Sequence, residues 1–211
     1  DVAPVVPKML GSRRMAKKKA ILFGGYAPVH FVCFKPIYDA LSQLPGVDVY
    51  VTGGTRFEKE NGEQGYDVHA LYEPFGIPRS RRLPVATIAR RSFDMTFSAH
   101  TSGFFPRATK AKVQVFHGVS FRNLAIREDQ KQYHALFISG PYMMRGFKKR
   151  VFKGASAKLL RIGFVKVDRL RNGSLERAKI LQKIGFKGDR PVLLYAPTGD
   201  KRNSLELMGE E

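Results

Sequence analysis

The stretch KKAILFGG (residues 18–25) decides the fold, because it is an apolar strand that ends in two glycines and leads into a helix. Apolar residues at helical spacing follow over 29–44, and VDVYVTGG (47–54) is a second buried strand. Two strands joined by a helical crossover run parallel to each other. The stretch therefore predicts the first unit of an α/β domain.

The same alternation of apolar strands and helices continues along the chain. We predict further strands at VHALYEP (68–74), MTFSA (95–99), KVQVFHG (112–118) and ALFISG (135–140), and a helix over 83–93. Strands that are buried on both faces and separated by helices form a parallel sheet covered on both sides. The predicted fold class is α/β, with a doubly wound, Rossmann-like domain over residues 15–155.

Residues 156–211 repeat this pattern only in part. A helix is predicted in SLERAKILQKIGF (174–186), a new buried strand in PVLLYAPTGD (191–200) and the start of another helix in NSLELMGEE (203–211). These elements are too few to close a separate sheet, so we interpret them as the truncated start of a second Rossmann-like domain. Residues 1–14, which precede Met15, are interpreted as a tag, linker or extension.

The balance of charged residues favours an anionic partner. Lys and Arg total 37 against 18 Asp and Glu, which gives a formal charge of +19. The one cysteine, Cys33, excludes an internal disulfide framework, and its apolar neighbours predict a buried packing position. No run approaches the roughly 18 apolar residues that a transmembrane helix needs.

Three predicted strands end in residues suited to chemistry, and ligands of doubly wound sheets bind outside the carboxyl ends of the strands. His117 and Gly118 end KVQVFHG, where glycine lets a ligand approach and an imidazole can accept a proton near neutral pH. The alternative for His117 is a structural hydrogen bond to a backbone carbonyl. His30 in GGYAPVHF and His100 in SAHTSG are predicted to face the same crevice, although a capping or core role is the alternative for His30.

The segment PVLLYAPTGDKRNS places hydroxyls and cations after its predicted strand. Thr198, Lys201, Arg202 and Ser204 precede a helix start and suit a phosphate group. The alternative is an ordinary helix N-cap at Asn203 or Ser204. Because the chain contains no CxxC, HExxH, GxxxxGK[ST] or GxSxG pattern, we predict no metal site and no cofactor.

Four motifs, taken in order, resemble the CDP-glycerol glycerophosphotransferase family. They are FHGVSFRN, LFISGPYMMRGF, RIGFVKVDRL and PVLLYAPTGD, and the resemblance runs from about Lys112 to the end of the chain. Members of this family polymerise or prime glycerol phosphate in teichoic acids and related surface polymers. The resemblance implies a GT-B architecture, in which residues 15–155 form the acceptor-side domain and residues 156–211 begin the nucleotide-donor domain.

The resemblance also implies an activity and residue roles. The chain is expected to move glycerol phosphate from CDP-glycerol, or another nucleotide-linked donor, to a hydroxyl of a lipid-linked polyol phosphate acceptor, with release of CMP. His117 would be the catalytic base, and Asp168 matches an aspartate of the family's G.P..D.L signature. Acceptor or substrate contacts would come from His30, His100, Gly118 and Arg122, and donor phosphate contacts from Thr198, Lys201, Arg202 and Ser204.

An enzyme that builds a polyanion on a lipid carrier meets an anionic membrane surface, which basic clusters attract. We therefore expect a cytoplasmic protein that is peripheral on the inner face of the cell membrane. The alternative enzyme is a GT-B glycosyltransferase that uses a nucleotide sugar in capsule or glycolipid synthesis. The alternative from another class is a basic nucleic-acid-binding protein, but the clusters lack a reading motif, so nucleic acid is not an expected partner.

Overall fold

The computed structural model describes residues 18–100, 103–118, 125–153, 158–186, 190–196 and 204. The chain divides into two compact units, Asp1–Asn172 and Gly173–Glu211. Segment 1–14 and four predicted site residues fall outside the described residues; these four are Arg122, Thr198, Lys201 and Arg202.

A seven-stranded parallel sheet forms the centre of the first unit. The strands of the described residues are β1 (Lys19–Gly25), β2 (Val47–Gly53), β3 (Thr55–Glu58), β4 (Gln64–Asp67), β5 (Arg82–Leu83), β6 (Ser92–Ser98), β7 (Ala108–Val115), β8 (Ala135–Ile138) and β9 (Lys158–Arg161). The sheet has the order β5-β2-β1-β6-β7-β8-β9, and all its pairs are parallel. The chain winds from β1 first to one side and then, through β6, to the other. This confirms the predicted doubly wound α/β fold.

Helices cover both faces of this sheet. They are α1 (Pro28–Ser42), α2 (Val68–Tyr72), α3 (Val85–Ile88) and α4 (Pro141–Arg150), followed by α5 (Asp168–Arg171). The second unit, by itself, has helix α6 (Arg177–Lys183) among its described residues. Because neighbouring strand residues point to opposite faces, Phe23 packs in the α1 cluster while Leu22 packs with Leu83 and Ile88. Burial on both faces explains why β1 is apolar without interruption.

The largest core cluster joins α1 to the middle of the sheet. The Phe23 ring stacks on Phe97 with centroids 4.6 Å apart and meets the edge of Phe34 at 5.2 Å. Each fully buried side chain of this size contributes roughly 1.5–3 kcal/mol by leaving water. Cys33 is 1% exposed within the same cluster, which confirms its predicted packing position. In the described ranges, no helix is long and apolar enough to cross a membrane.

The predicted strand over residues 68–74 is wrong, because this segment begins with helix α2. The Asp67 side chain accepts hydrogen bonds from the backbone N–H groups of His69 (2.8 Å) and Ala70 (3.0 Å). Such an N-cap stabilises a helix start. The helix carries Leu71 and Tyr72 into the α1 cluster, so the apolar residues are buried as expected but on a helix.

The predicted buried strand over 191–200 is not formed in its described part either. Residues 190–196 have no regular secondary structure, and Leu193 and Leu194 are 94% and 84% exposed. Among the described residues of the second unit there is no strand with which this segment could share a hydrogen-bond ladder. The strand β9, in contrast, pairs with β8 and extends the sheet of the first unit.

A hairpin of β3 and β4, which the sequence analysis does not predict, follows the carboxyl end of β2. Its base is fixed at Gly54, whose N–H donates to the carbonyl oxygen of Gly25 at 2.9 Å. Gly54 has a φ of +133°, and a β-carbon there would lie 2.1 Å from the carbonyl carbon of Asp67. Only glycine fits this position, so the hairpin is held against the end of β1.

We expect Gly54→Ala to lower the free energy of unfolding by at least about 2 kcal/mol, because it adds a backbone collision to conformational strain. Gly62→Ala in the same hairpin is the matched control, since Gly62 has a φ of +76° but open space around it. Its cost should stay near about 1 kcal/mol. Urea denaturation of both variants measures the difference, and equal losses would contradict the packing argument.

Candidate functional site

Three histidines meet at the carboxyl edge of the sheet. His30 lies in the first turn of α1 after β1, His100 follows β6, and His117 follows β7. The ring centroid of His30 is 4.9 Å from that of His117 and 5.6 Å from that of His100. The cluster lies where the winding of the sheet reverses, between β1 and β6, which is where such sheets form a ligand crevice.

His117 has a defined tautomer. Its Nδ1 lies 2.5 Å from the carbonyl oxygen of Ala99, which can only accept, so Nδ1 carries the proton. The neutral ring then has its lone pair on Nε2 and can accept a second proton there. The hydrogen bond to a backbone carbonyl, which was the alternative expected for His117, is therefore present. It leaves Nε2 of this exposed side chain as a proton acceptor. Next to it, no described atom lies within 4 Å of a β-carbon built on Gly118.

His30 is held in place by a close approach to Gly25. A β-carbon on Gly25 would lie 2.8 Å from the β-carbon of His30, so the second glycine of the pair makes room for this histidine. His30 is 2% exposed, and its Nδ1 accepts the backbone N–H of Tyr26 at 3.1 Å. Burial, followed by the nearby His117, His100 and Arg56, lowers the pKa of His30 to about 3. The ring is therefore neutral and carries its proton on Nε2.

His100 is packed among aromatic rings. Its ring centroid lies 4.6 Å from that of Tyr26 and 5.2 Å from that of Phe104, both in edge contacts. Burial, then Arg56 and His117, lower its pKa to about 4. Among the described residues, nothing forms a hydrogen bond with its buried Nε2. Two of the three histidines are thus kept neutral at physiological pH.

Three residues of this edge, Tyr26, Arg56 and Lys166, are not predicted from the sequence. The Arg56 guanidinium carbon lies 3.5 Å from the ring centroid of Tyr26, and Lys166 Nζ donates to the carbonyl oxygen of His117 at 3.5 Å. Tyr26 and Lys166 both stand inside motifs used for the predictions, GGYAPVHF and RIGFVKVDRL. Arg56 lies in the hairpin, for which the sequence carries no comparable signal.

Asp168 and Ser204 lie on other elements. Asp168 is exposed at the first residue of α5, two positions after Lys166, and its backbone carbonyl accepts from Asn172 N–H at 2.9 Å. Ser204 belongs to the second unit, where it is exposed and its hydroxyl contacts that of Tyr195. The structure therefore brings His30, His100, His117 and Gly118 together in the first unit.

Carboxylates of the first unit neutralise cations at the opposite edge of the sheet. Near the amino end of β2, Asp48 pairs with Arg81 at 2.9 Å, and near that of β6, Asp94 pairs with Lys110 at 2.7 Å. The bonds from Lys110 and from the Ala20 N–H lower the pKa of Asp94 to about 2. Within the described ranges neither Arg56 nor Lys166 has such an ion pair. The carboxyl edge of the sheet, where the histidines lie, therefore keeps positive charge that can attract an anionic ligand.

The three histidines do not form a metal centre in the described part of the chain. No group of three or more His, Cys, Asp or Glu side chains there is arranged to hold a metal ion. The cations Arg56 and Lys166 and the neutral imidazoles at this edge instead suit a phosphate.

The chain matches the model of a known protein family. The model of a family described as CDP-glycerol:poly(glycerophosphate) glycerophosphotransferase matches residues 77–207, which is more than half of the 211-residue chain. The matched region includes β6, His100, β7, His117 and Lys166, and it starts after the segment that carries His30 and Arg56. The comparison with curated proteins gives no match.

We expect stability to fall between pH 6.5 and pH 5 because His30 and His100 have pKa values of about 3 and 4 when folded, against an ordinary value of 6.5. The unfolded chain binds more protons in this window, so unfolding becomes easier as the pH decreases, by at most about 1.4 kcal/mol per pH unit for each histidine.

Urea denaturation across this window measures the effect. His30→Asn retains an acceptor for the Tyr26 N–H and removes one titrating group, so its stability should vary less with pH than that of the wild type. If the free energy of unfolding of this variant varied with pH as steeply as that of the wild type, the low pKa of folded His30 would be contradicted.

Proposed function

We propose, because the chain belongs to the CDP-glycerol:poly(glycerophosphate) glycerophosphotransferase family, that it moves glycerol phosphate from CDP-glycerol to a hydroxyl of a membrane-linked polyol phosphate acceptor. The products are the lengthened acceptor and CMP. The resulting polymer is of the teichoic acid type. The observation that carries this proposal is the hydrogen bond of His117 Nδ1 to the Ala99 carbonyl, which leaves Nε2 as a proton acceptor at the carboxyl edge of the sheet.

His117 acts as the general base in this mechanism. Its Nε2 takes the proton of the acceptor hydroxyl, and the hydroxyl oxygen forms a bond to the phosphorus that carries glycerol. The bond from that phosphorus to the bridging oxygen breaks, and CMP leaves with both electrons of the bond. General bases of this kind typically contribute a factor of about 10² to 10⁴ to the rate.

Neighbouring groups supply position and charge. Lys166 holds the carbonyl of His117 through its ammonium group, which keeps the base oriented and adds positive charge beside it. The neutral His30 ring, with its proton on Nε2, is a donor for a phosphoryl oxygen. Phosphoryl transfer depends mainly on such positioning and electrostatic stabilisation.

We propose that the enzyme associates with the inner face of the cell membrane through helix α4. Met143 and Phe147 bury one side of this helix, while Arg145, Lys148 and Lys149 are exposed on the other. Within the described ranges none of the three forms an ion pair with a carboxylate. A row of free cations is attracted to anionic lipid by about 1 kcal/mol for each residue near the surface.

We expect His117→Asn to reduce CMP release from CDP-glycerol by about 100-fold or more, because Asn keeps a donor for the Ala99 carbonyl but has no basic Nε2. The assay uses the longest encoded form of the protein with a glycerol-phosphate-primed lipid as acceptor.

His134→Asn is the matched control. His134 is exposed at the amino end of β8, and its Nδ1 only accepts the backbone N–H of Lys112, a bond that Asn can replace. Full activity in His117→Asn would exclude the proposed base. Consumption of a nucleotide sugar in place of CDP-glycerol would exclude the proposed donor.

We expect the double variant Lys148→Gln, Lys149→Gln to bind vesicles with 30% anionic lipid about 30-fold more weakly, because two surface cations of about 1 kcal/mol each are lost. Co-sedimentation with anionic and with zwitterionic vesicles measures this. The control Lys59→Gln, Lys179→Gln removes two lysines that already pair with glutamates. Equal loss in both double variants would argue against α4 as the membrane-facing helix.

A further inference from the structure

We propose that Arg56 is a specificity residue, whose guanidinium binds an anionic phosphodiester of the acceptor beside the three histidines. This inference rests on the proposed function and adds a residue outside the segment that the family model matches. It is carried by the position of the β3–β4 hairpin, the stacking of Arg56 on Tyr26 and the absence of a carboxylate partner in the described residues.

The hairpin places Arg56 over the histidine edge. Gly54 binds the end of β1 at the base of the hairpin, and Arg56 lies opposite Tyr66 in the β3–β4 register. The Tyr66 ring contacts Phe104 with centroids 4.8 Å apart, and Phe104 in turn contacts His100. The hairpin is thus attached at its base and along one side, so Arg56 has a fixed position relative to the cluster.

Tyr26 orients the guanidinium group. The Arg56 guanidinium carbon lies 3.5 Å from the ring centroid of Tyr26, and the edge of the same ring meets His30 at a centroid distance of 4.5 Å. Stacking uses one flat face of the guanidinium. Its N–H donors lie in the plane of the group and stay available for the two oxygens of a phosphodiester.

The charge of Arg56 is not neutralised by the described part of the protein. Its side chain is exposed, and no carboxylate there lies within ion-pair distance, whereas Arg81 and Arg82 pair with Asp48 and Glu73. The positive charge also reaches the cluster, because it contributes to the low pKa values of His30 and His100. An unpaired arginine at a site without carboxylates favours an anionic ligand.

The acceptor and the donor both carry phosphate, so the guanidinium of Arg56 could bind either substrate on chemical grounds alone. We assign Arg56 to the acceptor, because it belongs to the same unit as His117. A base that deprotonates the acceptor hydroxyl must contact the acceptor. A polyol phosphate presents a phosphodiester one unit away from its terminal hydroxyl. Arg56 would therefore select acceptors that already carry such a unit.

The test compares Arg56→Met and Arg56→Lys with wild type in the longest encoded form of the protein. Isothermal titration calorimetry measures binding of a short oligo(glycerol phosphate) without donor, and steady-state assays give KM values for this acceptor and for CDP-glycerol. Arg90→Met is the matched control, because Arg90 is exposed just before the amino end of β6, without an ion pair in the described ranges.

We expect Arg56→Met to weaken oligomer binding and raise the acceptor KM about tenfold or more, with the CDP-glycerol KM changed less than about twofold. Arg56→Lys should recover part of the loss, since it keeps the charge but not the paired donors. Arg90→Met should behave as wild type.

Three results would overturn the inference: no oligomer binding by wild type, unchanged binding in Arg56→Met, or a rise in the CDP-glycerol KM instead of the acceptor KM. The last result would assign Arg56 to the donor diphosphate. If the wild type binds the oligomer through Arg56 but does not consume CDP-glycerol, the acceptor site stands and the proposed donor is wrong.

Discussion

Gly25 has no side chain, and the β-carbon of His30 occupies the space that one would fill. This close approach lets α1 begin directly against the end of β1, with His30 buried and its Nδ1 bonded to the Tyr26 N–H. The carbonyl of the same glycine accepts the N–H of Gly54 and so fixes the hairpin. One position without a side chain therefore sets the distance between the strand end, the first helix and the hairpin, and with it the geometry of the histidine cluster.

The two edges of the sheet differ in how charge is balanced. At the amino edge, Asp48 and Asp94 each form ion pairs with two cations, and these interactions lower the pKa of both carboxyl groups. At the carboxyl edge, Arg56 and Lys166 have no carboxylate partner among the described residues, and burial keeps His30 and His100 neutral. In the part of the chain that the structure describes, Asp48 and Asp94 thus neutralise cations at the amino edge, while Arg56 and Lys166 keep their charge at the carboxyl edge.

The doubly wound sheet and the meeting of His30, His100 and His117 follow from the sequence, because apolar strands that alternate with helices pair in parallel and their carboxyl ends share one edge. Helix α2 does not follow from the sequence, because a short apolar run fits either a strand or a helix. Here the N-cap at Asp67 makes the run a helix. The hairpin and Arg56 are also beyond the sequence pattern. Residues 55–67 are mostly polar, and their position depends on contacts with β1 and Tyr26, about thirty residues earlier in the chain.

Cys33 lies one turn after His30 on the buried side of α1, and it is the one thiol of the chain. Burial raises the pKa of this thiol, which disfavours the thiolate that reacts with alkylating reagents. Alkylation of Cys33 therefore requires α1 to separate from the sheet. The native sequence thus contains a chemical reporter for opening of the helix that carries His30, and its labelling rate measures the local stability of the site without any assay of catalysis.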